Sequence, residues 1–255
     1  MTVIDLFAGP GGWDLAATEL GLDPLGIEWD EAACATRRAA GLRTLRADVA
    51  ALDPCEFAPC EGLIASPPCQ AWSMAGKRAG ERDKALVYRC LADLVEGRDT
   101  RAGLVKACED ERSLLVVEPL RWALALEPRW VALEQVPPVL ELWQWMADVL
   151  RARGYHVWTG VLSAERYGVP QTRRRAFLLA HRDRPVVPPP PTHQEYVPGV
   201  PAREEHTLEG VLLPWVSMAQ ALGWEGVDRP APTVTGGGGA QGGPEVFDRG
   251  GREAI

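Results

Sequence analysis

The chain has 255 residues, 46% of them hydrophobic and 24% charged, the balance of one large globular domain or of one domain with a small appendage. No apolar stretch approaches the roughly 20 residues that cross a bilayer. The N-terminus reaches Asp5 without a basic segment, so we expect no membrane partner, no secretory signal and a cytoplasmic protein. The net charge of −8 argues weakly against nucleic acid as a partner, because phosphate contacts require Lys and Arg.

The distribution of particular residues qualifies that expectation. Basic residues cluster at Lys77, Arg78, Arg82 and Lys84, and again at Arg173, Arg174 and Arg175. Each cluster is typical either of a solvated surface or of a phosphate-binding one. The six cysteines form no CxxC pair and have no His at metal-ligand spacing, so we predict free thiols and no metal.

Short apolar runs alternate with longer amphipathic ones over about the first 180 residues, which predicts an α/β fold with a mostly parallel seven-stranded sheet and helices on both faces. Strands are predicted at residues 3–7, 24–28, 42–45, 63–66, 130–135, 155–162 and 175–181. Helices are predicted at residues 12–20, 31–40, 86–96, 103–110, 112–126 and 139–153. Because Pro119 interrupts the fifth of these helices, that helix is either kinked or begins later.

The amino-acid composition of the chain changes after residue 181. Five prolines among residues 185–191 predict an extended linker. A single helix is predicted at 215–222, and the glycines near residues 236–243 predict a flexible tail. We therefore predict a main domain at 1–182, a short irregular region at 183–230 and a Gly-rich tail at 231–255.

A glycine-rich turn, DLFAGPGG at residues 5–12, follows the first predicted strand. Its spacing fits neither the dinucleotide fingerprint nor a phosphate-binding loop that ends in Lys. Glu28 ends the second predicted strand and Asp48 follows the third, at the sheet edge where α/β proteins bind ligands. Glu28 is suited to accept hydrogen bonds from both ribose hydroxyls and Asp48 from an adenine amino group, and Trp29 offers a flat apolar face. Together they favour an adenosine-type ligand without a diphosphate.

A second group of residues predicts covalent chemistry at the same edge. Two prolines hold Cys69 in the loop after the fourth predicted strand, where burial as a core thiol is disfavoured. Glu134 ends the next strand, as a candidate carboxyl with a raised pKa. In extended backbone Arg173 and Arg175 share one face, suited to an electron-rich ring or a phosphate. A thiolate that adds to carbon 6 of cytosine, with an acid at ring N3, makes carbon 5 nucleophilic, and the base must leave the helix to reach it.

These segments, with residues 67–77 and 167–175, resemble in sequence and order the DNA cytosine-5 methyltransferase family over residues 1–182. The combination of Pro-Cys-Gln, Glu-x-Val and Gln-x-Arg-x-Arg is highly specific to that family. The resemblance implies a Rossmann-like class I methyltransferase fold, S-adenosylmethionine as cofactor, S-adenosylhomocysteine as product and double-stranded DNA as partner. It also implies a bacterial or phage-encoded protein at the nucleoid, typical of restriction-modification systems.

The resemblance assigns roles residue by residue. Cys69 would be the nucleophile and Glu134 the partner of ring N3, while Arg173 and Arg175 would orient the base and the carboxylate. The cofactor pocket would be lined by Phe7, Ala8, Gly9, Gly11, Gly12, Glu28, Trp29, Asp48, Val49, Pro68 and Leu86. A loop at residues 72–84 would close over DNA, whose contacts would come from Gln70, Ser73, Lys77, Arg78 and Gln171.

The chain departs from the family pattern in three ways. Gln135 stands where the family usually has an Asn that braces the turn, a role the longer Gln side chain could also fill. No Gly-Asn closing motif follows, and the region at 183–230, which would carry target recognition, is short. We therefore weigh three alternatives to a self-sufficient DNA enzyme: a truncated or split member completed by a second polypeptide, a decayed binding protein, and a tRNA cytosine-5 methyltransferase.

Overall fold

A computed structural model describes residues 2–72, 79–207, 210–225 and 229–233. They form two compact units. The first comprises the described residues up to Gly160 together with Ala176–Pro188, and the second comprises Val161–Arg175 together with the described residues after Pro188. The predicted Ser73, Lys77 and Arg78, and most of the predicted tail, lie outside the described residues.

The predicted seven-stranded sheet is confirmed, with strand order β3-β2-β1-β4-β5-β7-β6. Its strands are β1 Val3–Leu6, β2 Pro24–Glu28, β3 Thr44–Arg46, β4 Gly62–Ala65, β5 Trp130–Gln135, β6 His156–Ser163 and β7 Arg174–His181. The first five strands pair in parallel, and β7 pairs antiparallel with β5. Strands β1 and β4 are buried along their whole length, as expected for central strands of a parallel sheet.

The helices connect these strands. They are α1 Gly12–Glu19, α2 Glu31–Ala39, α3 Ala79–Val95, α4 Arg101–Leu104, α5 Glu118–Leu126 and α6 Leu140–Ala152. Because crossovers between parallel strands are right-handed, the reversal of strand order at β1 and β4 places α1 and α2 on the opposite face from the helices that follow β4. None of the helices in the described ranges is both long and apolar enough to span a membrane.

Three predicted helices have different bounds in the structure. Helix α3 begins at Ala79 rather than at residue 86, because its first turns bury the polar side chain of Asp83, which hides the apolar periodicity. The helix predicted at 103–110 is wrong: α4 ends at Leu104 and continues as one short 3₁₀ turn. The fifth helix begins later, as one alternative predicted, with Pro119 in its first turn.

The second unit contains a hairpin that the sequence did not predict and a helix that it did predict. Strands β8 Glu205–Thr207 and β9 Gly210–Leu212 form an antiparallel hairpin. Helix α7, Met218–Leu222, starts three residues later than predicted because Ser217 caps it, accepting a 3.0 Å hydrogen bond from the Gln220 amide. The first residue of the predicted tail, Ala231, hydrogen-bonds through its backbone to the Pro170 carbonyl at 2.9 Å.

Candidate active site

Four parallel strands end at one edge of the sheet. Leu6 lies beside Ile27 and Ala65, and Ala65 lies beside Leu133. The residues that follow them in the chain, all at this edge, are Phe7, Glu28, Ser66 and Glu134. The strand order reverses between β1 and β4, so this edge is the switch point at which open α/β sheets bind ligands. The sheet thus brings the predicted cofactor loop and the predicted nucleophile loop together.

The glycine-rich loop after β1 is a tight turn that requires glycine. Gly9 and Gly11 have φ of 54° and 105°, in the region that L side chains rarely adopt. A Cβ on Gly11 would also lie 2.3 Å from the Leu42 side chain. The loop backbone is therefore open toward the sheet edge and closed toward the core.

Glu28 fastens this loop to the end of β2. The side chain is buried, and one carboxylate oxygen accepts a 2.8 Å hydrogen bond from the Gly9 amide. The other oxygen accepts from the amides of Trp29 and Asp30, each at 2.8 Å. A carboxylate has about four acceptor positions. Three of these positions accept from the protein backbone, so one remains for an external hydroxyl. The sequence analysis had expected Glu28 to accept from two ribose hydroxyls.

The residues predicted to contact adenine are two exposed side chains, Trp29 and Asp48, and the buried side chain of Val49. Trp29 is 72% exposed, so its ring face is available to a ligand. Asp48 is exposed, and one of its carboxylate oxygens accepts a 2.9 Å hydrogen bond from the Ala50 amide. The next side chain, Val49, is buried. Of the remaining predicted pocket residues, Pro68 and Leu86 are half-buried.

The loop that carries Cys69 is held through carbonyls and side chains, because its two prolines have no N–H to donate. The Ser66 hydroxyl accepts a 3.0 Å hydrogen bond from the Trp13 indole. The Pro67 carbonyl accepts from the Gln135 side-chain amide. Beyond the prolines, the Cys69 carbonyl accepts a 2.9 Å bond from the Trp72 amide, which closes a turn around the half-buried thiol.

Gln135 joins the two reactive segments. Its side chain is 2% exposed, its amide nitrogen donates to Pro67, and its amide oxygen accepts from the backbone N–H of Val136. The expectation that Gln135 braces this turn in place of Asn is confirmed. The bond also links the strand end that bears Glu134, itself half-buried, to the loop that bears Cys69.

Two of the other cysteines are poorly suited to form a thiolate. All six are free thiols, as predicted. Burial raises the pKa of Cys60 to about 11 and that of Cys90 to about 12. Since the thiolate is the nucleophile, these buried thiols are structural.

The predicted arginines lie in the second unit. Arg173 and Arg175 are half-buried and Arg174 is exposed, the alternation that extended backbone predicts. The Arg173 carbonyl accepts a 2.9 Å hydrogen bond from the Ala164 amide. The predicted DNA contact Gln171 pairs with Ala231 through an isolated parallel bridge.

Comparison with known proteins identifies the family of the chain. The sequence profile of the family described as C-5 cytosine-specific DNA methylase matches residues 1–92 and 100–210. The chain belongs to this family.

Its relatives are similar over part of their length. The chain is 28% identical over 186 residues to the Type II methyltransferase M.MthTI of Methanothermobacter thermautotrophicus, which covers 72% of this chain and 49% of that protein. It is 28% identical over 268 residues to the Type II methyltransferase M.NaeI of Lentzea aerocolonigenes, which covers 96% of this chain and 55% of that one. The chain thus spans about half the length of these relatives.

A solved structure shows the same fold. The Dnmt2 methyltransferase of S. pombe superposes with a TM-score of 0.51 at 19% identity, over 73% of this chain and 50% of that one. The Rossmann-like methyltransferase fold that the sequence predicted is therefore confirmed.

The loop that the family resemblance predicted at residues 72–84 does not extend to residue 84. Residues 79–84 belong to α3, and the loop ends are fixed: Trp72 is 1% exposed, and the Gly80 amide donates to the Ala71 carbonyl at 2.9 Å. The basic cluster predicted here is partly neutralised, because Arg82 pairs with Glu109 and Lys84 with Glu141. The predicted DNA contact Gln70 is exposed.

The sequence prediction missed the charged residues beneath the loops. Arg37 and Asp14 form a 2.6 Å ion pair with both side chains fully buried, and Arg37 also donates to the Ala8 carbonyl at 3.4 Å. Such residues occur on helices, where charge predicts a solvated face, so no local signal marks them. Within the described ranges no three His, Cys, Asp or Glu side chains are grouped as metal ligands.

Proposed function

We propose that this chain transfers a methyl group from S-adenosylmethionine to carbon 5 of a cytosine in double-stranded DNA. The observation that carries the proposal is the Gln135 bridge, which ties the Cys69 loop to the strand end of Glu134 at the edge where the glycine-rich loop also lies. Membership of the C-5 cytosine-specific family supports it. In this proposal residues 1–182 form the catalytic domain, residues 183–230 the target-recognition region and residues 231–255 a tail.

The residues present fit the adenosine part of such a cofactor. The glycine-rich loop admits close backbone approach, Glu28 keeps one acceptor position for a ribose hydroxyl, and Trp29 exposes its ring to stack on a base. Asp48 would accept from the adenine amino group. When bound, S-adenosylmethionine supplies the electrophilic methyl group that carbon 5 accepts.

The reactive side would then act on a cytosine flipped out of the duplex. The Cys69 thiolate adds to carbon 6, forming a carbon–sulfur bond, and the ring electrons move toward carbon 5 and N3. Glu134 stabilises the charge that develops by donating a proton or a hydrogen bond to N3. Arg173 and Arg175 orient the base and the carboxylate. Carbon 5 takes the methyl group, with S-adenosylhomocysteine as the leaving group. The carbon 5 proton then passes to water, Glu134 recovers any proton given to N3, the carbon–sulfur bond breaks, and Cys69 leaves as thiolate.

Trapping tests the proposal directly. The purified chain is incubated with S-adenosylmethionine and duplex DNA that carries 5-fluorocytosine in mixed sequence contexts. Fluorine at carbon 5 blocks the final proton loss, so we expect a covalent protein–DNA adduct that survives denaturing gels. Cys69→Ser should abolish the adduct, whereas Cys55→Ser, a change at an exposed cysteine outside the site, should leave it intact.

The other outcomes distinguish the alternatives. An adduct that persists in Cys69→Ser would exclude Cys69 as the nucleophile. No adduct together with binding of S-adenosylhomocysteine in calorimetry would point to a segment supplied by a second polypeptide. If the chain forms no adduct and binds no S-adenosylhomocysteine, the result favours a decayed protein. If an adduct forms only with tRNA that carries 5-fluorocytosine, the substrate is tRNA rather than DNA.

A further inference from the structure

The turn after β3 is held from below by two arginines. Arg121 donates to the Val49 carbonyl at 2.9 Å and to the Leu52 carbonyl at 3.0 Å. Arg101 donates to the Ala50 carbonyl, between these two, at 2.9 Å. Three carbonyls of one short segment thus accept hydrogen bonds from two guanidinium groups. These belong to α4 and α5, helices that occur more than 45 residues later in the chain.

A single buried carboxylate joins the two guanidinium groups. Glu118 is 2% exposed, with one oxygen 2.7 Å from Arg101 and the other 2.6 Å from Arg121. The arginine side chains are themselves only 18% and 11% exposed. Arg101 forms a second ion pair with Asp99, at 2.7 Å, so each positive charge has a carboxylate partner. The two guanidinium nitrogens of Arg121 that do not contact Glu118 donate to the Val49 and Leu52 carbonyls. We name Arg101, Glu118 and Arg121 the arginine clamp.

Stability alone gives a weak reason for such a cluster. A buried ion pair costs so much desolvation that well-packed apolar residues often serve equally well. A guanidinium, however, presents several donors in a fixed fork, so Arg121 can hold two carbonyls and one carboxylate at once, which a Lys ammonium cannot do in the same geometry. The clamp thus specifies the path of the backbone from Val49 to Leu52.

That backbone carries the proposed adenine contacts. Asp48 immediately precedes the clamped segment. Its carboxylate accepts a hydrogen bond from the Ala50 amide, and the Ala50 carbonyl accepts one from Arg101. We propose that the arginine clamp positions Asp48 and Val49 for the adenine of the cofactor, and so sets adenine selectivity without touching the ligand. The inference rests on the proposed function, and it assigns to Arg101, Glu118 and Arg121 a positioning role.

The test measures selectivity rather than activity. Binding of S-adenosylhomocysteine and of an analogue whose purine lacks the 6-amino group is measured by calorimetry for the wild type, Arg121→Lys and Arg101→Lys. The wild type should prefer the amino compound. Each Lys variant should lose about tenfold in affinity for S-adenosylhomocysteine while its affinity for the analogue changes by less than about twofold, because only the amino contact needs the exact position of Asp48. Arg112→Lys, at an exposed arginine that pairs with Asp110, is the matched control and should match the wild type.

A second measurement is independent of any ligand. Amide hydrogen exchange at residues 49–52 of the ligand-free protein should be faster in Arg121→Lys than in Arg112→Lys, with thermal unfolding confirming that both are folded. Unchanged affinities in the clamp variants, or equal losses for both ligands, would overturn the positioning role. A wild type that binds neither compound would instead refute the cofactor site itself, and the clamp's role with it.

Discussion

The two halves of the sheet edge are held in place by different kinds of group. On the proposed cofactor side, after β1 to β3, the loops are fixed by charges: the Glu28 carboxylate, the Arg37–Asp14 pair and the arginine clamp. On the reactive side, after β4 and β5, the Cys69 loop is fixed by the neutral Trp13 indole and Gln135 amide.

This difference agrees with what each side would do. A cofactor loop has only to keep its shape, and charge-assisted hydrogen bonds are the strongest way to hold backbone groups. In the proposed site a thiol and a carboxyl exchange protons, and each further fixed charge beside them, beyond those of Arg173 and Arg175, would shift their pKa values. A neutral amide holds their loop without adding such a charge. Damage on the reactive side should therefore reduce the rate, and damage on the cofactor side should reduce affinity.

The largest effect is expected for Gln135→Glu, which puts a carboxylate against the Pro67 carbonyl. If the proposed function is correct, kcat at neutral pH should fall about 100-fold, with cofactor affinity unchanged. A displacement of the Cys69 loop by about 1 Å can cause a loss of this size. Below the pKa of the new carboxyl, its protonated form can donate to Pro67, so part of the rate should return in mildly acidic buffer. A kinetic pH profile checks this.

Gln135→Ala is the control for that profile. It has no titratable group and should lose rate without any recovery at low pH beyond that of the wild type. If Gln135→Glu retained full activity at neutral pH, the bridge would have no role in placing Cys69.

A smaller effect, on affinity, is expected for Glu28→Gln. The amide cannot accept all three backbone hydrogen bonds, because one oxygen becomes a donor group that faces an N–H. The ribose hydroxyl would then also lose a charge-assisted hydrogen bond of about 1.5–3 kcal/mol, so the Kd for S-adenosylhomocysteine should rise at least tenfold in calorimetry. Glu31→Gln, at a half-exposed glutamate on α2, should bind normally. Equal affinities for the two variants would remove Glu28 from the site.

The smallest effect concerns stability. Asp5, in strand β1, is fully buried, and burial, reinforced by the nearby Asp14 carboxylate, raises the pKa of its carboxyl well above the ordinary range. The native state therefore keeps a proton that the unfolded chain releases above about pH 4, and stability falls as pH rises from there toward the raised pKa. Asp5→Asn removes this loss and can donate to Asp14. It should be more stable by about 1 kcal/mol at pH 7.5 and gain less at pH 4.

Thermal unfolding at the two pH values measures the difference. Asp23→Asn, at an exposed aspartate, serves as control and should show no such pH-dependent gain. A variant at Asp5 less stable than the wild type at pH 7.5 would mean that this carboxyl is ionised in the folded protein.

The fold was largely readable from local pattern. Buried parallel strands are short apolar runs, so β1, β2 and β5 lie within one residue of their predicted bounds. The pattern failed where polar residues are buried or strands are short and exposed. The start of α3, with its buried Asp83, was placed too late, and the hairpin of β8 and β9 was missed.

The sequence by itself predicted which residues lie at the sheet edge, because strand ends and the glycine, cysteine and carboxyl residues beside them are local features. The sequence also shows that Gln135 follows Glu134, but it does not identify the Pro67 carbonyl as the hydrogen-bond partner of Gln135. Only the tertiary structure decided what holds each loop. The Gln135 bond to Pro67 spans 68 residues, and the Arg121 bond to Val49 spans 72. Periodicity and spacing report on neighbours within a few residues, whereas these partners are chosen by the packing of whole helices and strands.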